Sequence, residues 1–208
     1  MDIAAIAARV PVIPVLTIDR VETAVPLARA LVKGGLPVLE ITLRTEAALQ
    51  ALELIGREVP DAVVGAGTVL NARQVEQVQK AGARFGVSPG CTQELAAAVR
   101  AARLPFLPGV QTVSEAMRLA DQGFKLLKFF PADTAGGVGW LKAASAPLAG
   151  LRFCPTGGIG AETASTYLAL ANVACVGGSW VAPKDAVAGG DWGRVERLAA
   201  AASNLKRP

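Results

Sequence analysis

The chain of 208 residues contains no histidine. That absence excludes a serine–histidine triad, a cysteine–histidine dyad and most zinc sites. Any general acid or base must then be Asp, Glu, Lys, Tyr or Cys. Cysteine is scarce as well: Cys91, Cys154 and Cys175 are widely spaced and odd in number. They make neither a disulfide framework nor a zinc motif, and read as small buried apolar side chains. No apolar run approaches the roughly 20 residues of a membrane helix. The opening "MDIAAIAARVPVIPV" carries an acid at position 2 and lacks the basic start of a signal peptide, so a cytoplasmic protein without membrane association is expected. Charge of one sign is not concentrated either. The net charge is +4, but the basic residues are scattered and form no stripe interleaved with aromatics. Nucleic acid is therefore not expected as a partner, and a small anionic metabolite suits the balance.

What is present is apolar: 52% hydrophobic against 18% charged residues, enough to bury a substantial core in one domain spanning 1–208. Short apolar runs alternate with helical patterns. Eight candidate strands cover 12–16, 37–43, 62–66, 83–87, 104–108, 126–130, 151–155 and 173–177. Helical stripes fall between them, as at Leu95, Ala98, Val99 and Ala102, and at Ala164, Tyr167, Leu168 and Ala171. Asp19 with Glu22 and Thr112 with Glu115 have capping-box spacing, and Asn71 is placed to cap "ARQVEQV". An N-terminal helix over "DIAAIAAR" and a terminal helix over "DWGRVERLAAAASNLK" complete the pattern. Eight alternations allow a doubly wound sheet or a (β/α)8 TIM barrel, and the count favours the barrel.

Two strands break the rule that a buried strand is apolar. In "PVLEITLR", Leu39, Ile41 and Leu43 alternate with Glu40, Thr42 and Arg44, which puts the polar trio on one face. In a barrel that face points into the interior and toward the mouth where active sites lie. In "KLLKFF", Lys128 shares a face with Leu126 and Phe130, while Lys125 belongs to the other face and should reach solvent. Apolar surroundings disfavour an ammonium ion, and a neutral amine is a nucleophile toward carbonyls. Taken alone, the strand also fits a lysine that snorkels to the surface. "CPTGGIG" (154–160) and "VGGSW" (176–180) follow the seventh and eighth strands, where barrels bind phosphate through backbone N–H groups. Thr68, closing "VGAGT", is placed to offer a hydroxyl at the mouth, or to serve a turn. Trp180, next to Ser179, reads as core or rim packing, and the role of Trp140 is left open by the sequence.

The motifs "VLEITLRT" (38–45), "VGAGTVLN" (64–71), "SPG" (88–90), "KFFPA" (128–132), "FCPTGGI" (153–159) and "GGSW" (177–180) together resemble the 2-keto-3-deoxy-6-phosphogluconate (KDPG) and 4-hydroxy-2-oxoglutarate (KHG) aldolases of class I, in order and over about residues 10 to 190. The resemblance implies a (β/α)8 barrel, usually a homotrimer, acting without metal or cofactor on a phosphorylated 2-keto-3-deoxy sugar acid to release pyruvate and glyceraldehyde 3-phosphate. It implies Lys128 as the Schiff-base lysine and Glu40 as the proton shuttle. Arg44 and Thr68 would hold the pyruvyl carboxylate, and Thr156 would lie near the substrate carbonyl and hydroxyl. Gly157, Gly158, Gly178 and Ser179 would form the phosphate region, with Pro89 and Phe130 shaping the pocket. The Arg-Thr pair after the glutamate favours the gluconate over the galactonate enzymes. The chain departs from the family pattern at "DTAGG" after "KFFPA". A sugar-phosphate isomerase or synthase would share the glycine loops without needing the lysine. A non-catalytic phosphometabolite sensor would need no proton shuttle.

Overall fold

The structure, a computed structural model, describes residues 2–207. In chain order its elements are α1 (Ile3–Ala7), β1 (Val12–Leu16), α2 (Ala24–Lys33), β2 (Val38–Thr42), α3 (Ala48–Glu58), β3 (Val63–Gly67), α4 (Ala72–Lys80), β4 (Phe85–Val87), α5 (Gln93–Ala102), β5 (Phe106–Leu107), β6 (Gly109–Val110), α6 (Val113–Asp121), β7 (Leu126–Phe129), α7 (Gly137–Ser145), β8 (Arg152–Pro155), α8 (Ala164–Leu168), β9 (Val176–Gly178), α9 (Lys184–Gly189) and α10 (Trp192–Ser203). All strand pairs are parallel. They form a six-stranded sheet in the order β5-β4-β3-β2-β1-β9 and a three-stranded sheet β6-β7-β8. Isolated bridges join Phe153 to Val173 and Thr156 to Gly177, linking β8 to the chain at β9. The result is an α/β fold with a curled parallel sheet.

Every expected strand is present, with one division. The run 104–108 holds β5, and Pro108, which has no N–H to give to a ladder, separates it from the short strand β6 that follows. The divided strand leaves the two sheets as neighbours at this point: β5 pairs with β4, and β6 pairs with β7. Both faces of a parallel sheet are covered, which is why β2 is buried at all five positions despite Glu40 and Thr42. The helices bury one stripe each. In α3 that stripe is Ala48, Ala51, Leu52 and Ile55, the i, i+3, i+4, i+7 spacing of a helix lying on a sheet.

Helix ends follow the sequence at Asn71, whose side chain accepts from the Gln74 N–H, and at Thr112, which forms a complete capping box with Glu115. The Asp19 box does not form. The chain instead enters a 3-10 turn at Val21–Thr23, whose N-cap position is Arg20, with no side-chain cap bond. A single 3-10 turn ahead of α2 shifts the start by several residues and strands Asp19 outside it. The stripe through Ala171 is also shorter than expected. Helix α8 stops at Leu168, and Ala171 is exposed. The two ends of the chain are tied together: the Arg207 guanidinium donates to the carbonyls of Ala8, Val10 and Ala174.

Candidate active site

Register places the charged side chains of two distant strands face to face. Glu40 is the third residue of β2, opposite Val15 of β1 and Gly65 of β3. Lys128 is the third residue of β7, opposite Gly109 and Cys154. Both point inward, as their strand parity requires, and Lys128 Nζ donates to Glu40 Oε1 at 3.3 Å. Their side chains are 4% and 3% exposed. Lys125, three residues earlier on the opposite face, is exposed. The lysine is therefore not a solitary cation among apolar groups. It is half of a buried ion pair, an arrangement in which each charge answers the desolvation of the other. The ring of Phe130 closes one side, its centroid 5.3 Å from Lys128 Nζ.

Glycine makes the room for this pair. A Cβ on Gly67 would collide with the Glu40 carboxylate, and one on Gly65 would enter the ring of Phe85. "VGAG" thus supplies two small residues on the face that meets the polar face of β2. Thr42, fully buried, is satisfied by donating to the Leu16 carbonyl at 2.9 Å and by lying 3.2 Å from the Thr17 hydroxyl. It holds β2 to β1 beside the pair.

Arg44 and Thr68 meet at the mouth, with Arg44 Nε donating to Thr68 Oγ1 at 3.3 Å. Arg44 lies in the turn beyond β2 and is exposed. Thr68 sits at φ 60, a left-handed conformation that is costly for a β-branched residue. In that conformation its hydroxyl accepts from the Arg44 guanidinium. Thr156 is buried at the end of β8, with its side chain where a Cβ on Gly177 would otherwise lie. Pro89 is half-buried, and its carbonyl abuts Gly109.

The glycine loops divide in two. Gly157 and Gly158 both have positive φ, 98 and 77, and the turn is fastened by the N–H groups of Ala132 and Asp133 donating to the carbonyls of Thr156 and Gly157. Gly178 has a different constraint: a Cβ there would enter the ring of Trp180. Ser179 is exposed and lines a cavity of about 530 Å³ together with residues of the loop after β1, among them Thr17, Asp19 and Arg20. Lys128 is not part of that cavity. Sequence reasoning did not single out Gly67, Thr17 or Arg20. The alternation of "VGAG" against the Glu40 face was the available signal for Gly67. Thr17 and Arg20 carry no such mark, because their placement depends on β9 pairing with β1.

Trp140 is packing: its ring stacks on Phe129 at 4.3 Å and meets Phe153 edge-on at 5.4 Å. Burial pushes the Cys91 thiol up to about 11. Cys175 is raised well above the ordinary thiol range by its hydrogen bond with Cys154 and by burial. Neither is therefore poised as a thiolate nucleophile. Among the described residues no group of three or more Cys, Asp or Glu side chains is placed to hold a metal ion, and no helix is long and apolar enough to cross a membrane.

A family model described as aldolase, KDPG and KHG aldolase, matches residues 3–198. The 2-dehydro-3-deoxy-phosphogluconate aldolase of Dickeya dadantii is 52% identical over 189 residues, 91% of this chain and 89% of its own. The KHG/KDPG aldolase of Escherichia coli is 51% identical with the same coverage. Among solved structures, the KDPG aldolase of Legionella pneumophila, with pyruvate captured as a covalent carbinolamine intermediate, superposes with a TM-score of 0.96 at 47% identity, covering 98% of this chain and 99% of that one. The Zymomonas mobilis enzyme with 3-phosphoglycerate gives 0.94 at 46% identity, covering 99% and 97%. The chain belongs to the KDPG and KHG aldolase family of lyases.

Proposed function

We propose that this chain is a class I aldolase that reversibly cleaves 2-keto-3-deoxy-6-phosphogluconate to pyruvate and glyceraldehyde 3-phosphate through an imine on Lys128, and that it also accepts 4-hydroxy-2-oxoglutarate. The observation that carries the mechanism is the buried Lys128–Glu40 contact of 3.3 Å. Transfer of the ammonium proton to the carboxylate frees the amine. The amine adds to the C2 ketone, giving a carbinolamine of the kind named for pyruvate in the Legionella relative. Glu40 returns its proton to the carbinolamine hydroxyl, which leaves as water and gives an iminium ion and a free carboxylate. Glu40 removes the C4 hydroxyl proton, the C3–C4 bond breaks, and its electron pair passes into the iminium to give an enamine. Glyceraldehyde 3-phosphate departs. Protonation of the enamine at C3 and addition of water to the resulting iminium release pyruvate and restore the amine.

Arg44 and Thr68 hold the carboxylate, the guanidinium offering paired N–H donors. Thr156 lies beside the reacting carbonyl and hydroxyl, with Pro89 and Phe130 as walls. Gly157, Gly158, Gly178 and Ser179 take the phosphate. No metal or cofactor enters these steps. The 3-phosphoglycerate bound by the Zymomonas relative supports a small phosphorylated acid as the ligand class.

The same reading treats residues 1–208 as one domain and the two sheets as a single closed (β/α)8 barrel. Two features support that reading: Pro108 divides one strand between the two sheets, and isolated bridges at Phe153 and Thr156 link β8 to the chain at β9. It assigns the protein to the cytoplasm as a homotrimer with no nucleic-acid or membrane partner. The exposed apolar side chains of Leu70, Val113 and Met117 support an interface between subunits.

Borohydride reduction in the presence of pyruvate tests the chemistry. A pyruvyl adduct on the peptide containing Lys128, absent without pyruvate, is expected. No adduct, together with an active Lys128→Ala variant, would reject the imine and leave a sugar-phosphate isomerase or synthase. Pyruvate release followed with lactate dehydrogenase separates turnover from mere binding by a sensor.

A further inference from the structure

A phosphate monoester carries between one and a half and two negative charges near neutral pH. The groups assigned to it above, Gly157, Gly158, Gly178 and Ser179, offer backbone dipoles and one hydroxyl, but no cation. The two cations of the core site are committed elsewhere, Arg44 to Thr68 and Lys128 to Glu40. On that assignment the dianion would lack a countercharge.

Strand register shows where one can come from. β1 runs parallel to β9 with Pro14 opposite Gly178, so the chain leaving β1 emerges beside Ser179. That segment carries Thr17, Asp19 and Arg20, and all three line the 530 Å³ cavity shared with Ser179 and Lys184. Its size lies in the range of small-ligand sites. Arg20 has one ion-pair partner, Glu22 at 3.6 Å, with side chains 57% and 69% exposed. An exposed pair at that distance holds weakly, so the guanidinium is free to turn to a better anion. Asp19, in the same cavity, opposes an anion. Lys184 forms no ion pair among the described residues.

We propose that Arg20 is the cationic residue of the phosphate subsite, that it meets the phosphate in the cavity it shares with Ser179, and that Lys184 adds charge at the rim. This rests on the aldolase reading and extends it. Preference for the phosphorylated sugar acid over the same acid without phosphate then comes from the loop after β1, outside the motifs that mark the family in this sequence.

The test compares KM and kcat of wild type, Arg20→Gln, Arg20→Lys and Lys184→Gln on KDPG and on unphosphorylated 2-keto-3-deoxygluconate. For Arg20→Gln we expect KM for the phosphorylated substrate to rise about tenfold with kcat little altered. Its loss in kcat/KM should be at least fivefold greater than on the unphosphorylated acid. Arg20→Lys should recover much of the difference, Lys184→Gln should show a smaller shift, and inhibition by inorganic phosphate should weaken in Arg20→Gln. Equal losses on both substrates, or none, would overturn the assignment. Pyruvate trapping on Lys128 in the same variants separates the two readings. Failed trapping in the wild type rejects the aldolase chemistry, whereas intact trapping with no phosphate discrimination rejects only the role of Arg20.

Discussion

Glu40 and Lys128 are each other's justification. Either charge alone in that interior would be stranded, at a cost of about 3–5 kcal/mol when one partner of a buried pair is removed. Lys128→Met should therefore lower stability by about that amount, and adding Glu40→Gln should recover part of the loss; additive losses in urea melts would mean that the two do not interact. Glu40→Gln alone keeps a hydrogen-bond partner for the lysine but cannot take a proton. Its kcat should fall by about 10²–10⁴, while borohydride still traps some pyruvate; wild-type turnover would remove Glu40 from the mechanism. Gly67→Ala should act through the same carboxylate, because its Cβ would strike Glu40. Inward orientation of both charged residues was legible from strand parity, and so was the outward Lys125. That Lys128 faces Glu40 across the interior followed as well, once a barrel was expected, but the direct ion pair did not: it needs side chains 88 residues apart to meet at hydrogen-bond distance, and no local pattern records that. The strained Thr68 was also invisible, since its neighbours in "GAGTV" fit an ordinary strand end.

At the scale of elements, the Thr112 and Asp19 boxes have the same spacing and different fates. Thr112 precedes a nine-residue helix, so its hydroxyl accepts from the Glu115 N–H while the Glu115 carboxylate accepts from the N–H groups of Gln111 and Thr112. Asp19 precedes a three-residue 3-10 turn, where the N–H groups a cap would serve are arranged differently. Spacing marks a cap only if a full α-turn follows it, and that is decided by packing. Thr112→Ala should cost about 1 kcal/mol, seen as a lower urea midpoint. The box also gives a pH signature. Partial burial raises the Glu115 pKa, but the hydrogen bonds from Gln111 and Thr112 and the charge of Arg118 outweigh it and hold the carboxyl below its ordinary 4.5. The unfolded chain then binds more protons in that window, so stability rises with pH through it. The contribution is complete above the ordinary value and is lost as pH falls through the lower, folded one. The stability gap between wild type and Glu115→Gln should be widest above the ordinary carboxyl value of 4.5 and narrow as pH falls below it. A gap independent of pH would show that Glu115 acts by shape alone.

At the scale of the molecule, the reading as a closed barrel rests on the seam between β8 and β9. Elsewhere neighbouring strands share ladders of two to five residue pairs, as in β2 with β3. Here the link is two isolated bridges, supported by the Phe153 N–H donating to the Asn172 carbonyl and the Ala174 N–H donating to the Phe153 carbonyl. The seam is short because Thr156 turns away into the Gly157–Gly158 loop, and its side chain occupies the space beside Gly177. The glycine turn at the end of β8 thus shortens the ladder at the same place. Eight alternations in the sequence pointed to a ring, but periodicity counts strands and says nothing about which two meet last. Amide exchange can report on the closure. The Val176 N–H, bonded to the Pro11 carbonyl across β1 and β9, should be strongly protected. If the barrel is closed in solution, the Ala174 N–H on the other edge should exchange within about tenfold of it, since both then open only with the core. Fast exchange at Ala174 alone would describe an open edge, and an exposed parallel edge beside Thr156 would leave the Gly157–Gly158 turn, the proposed phosphate loop, without a neighbouring strand on that side.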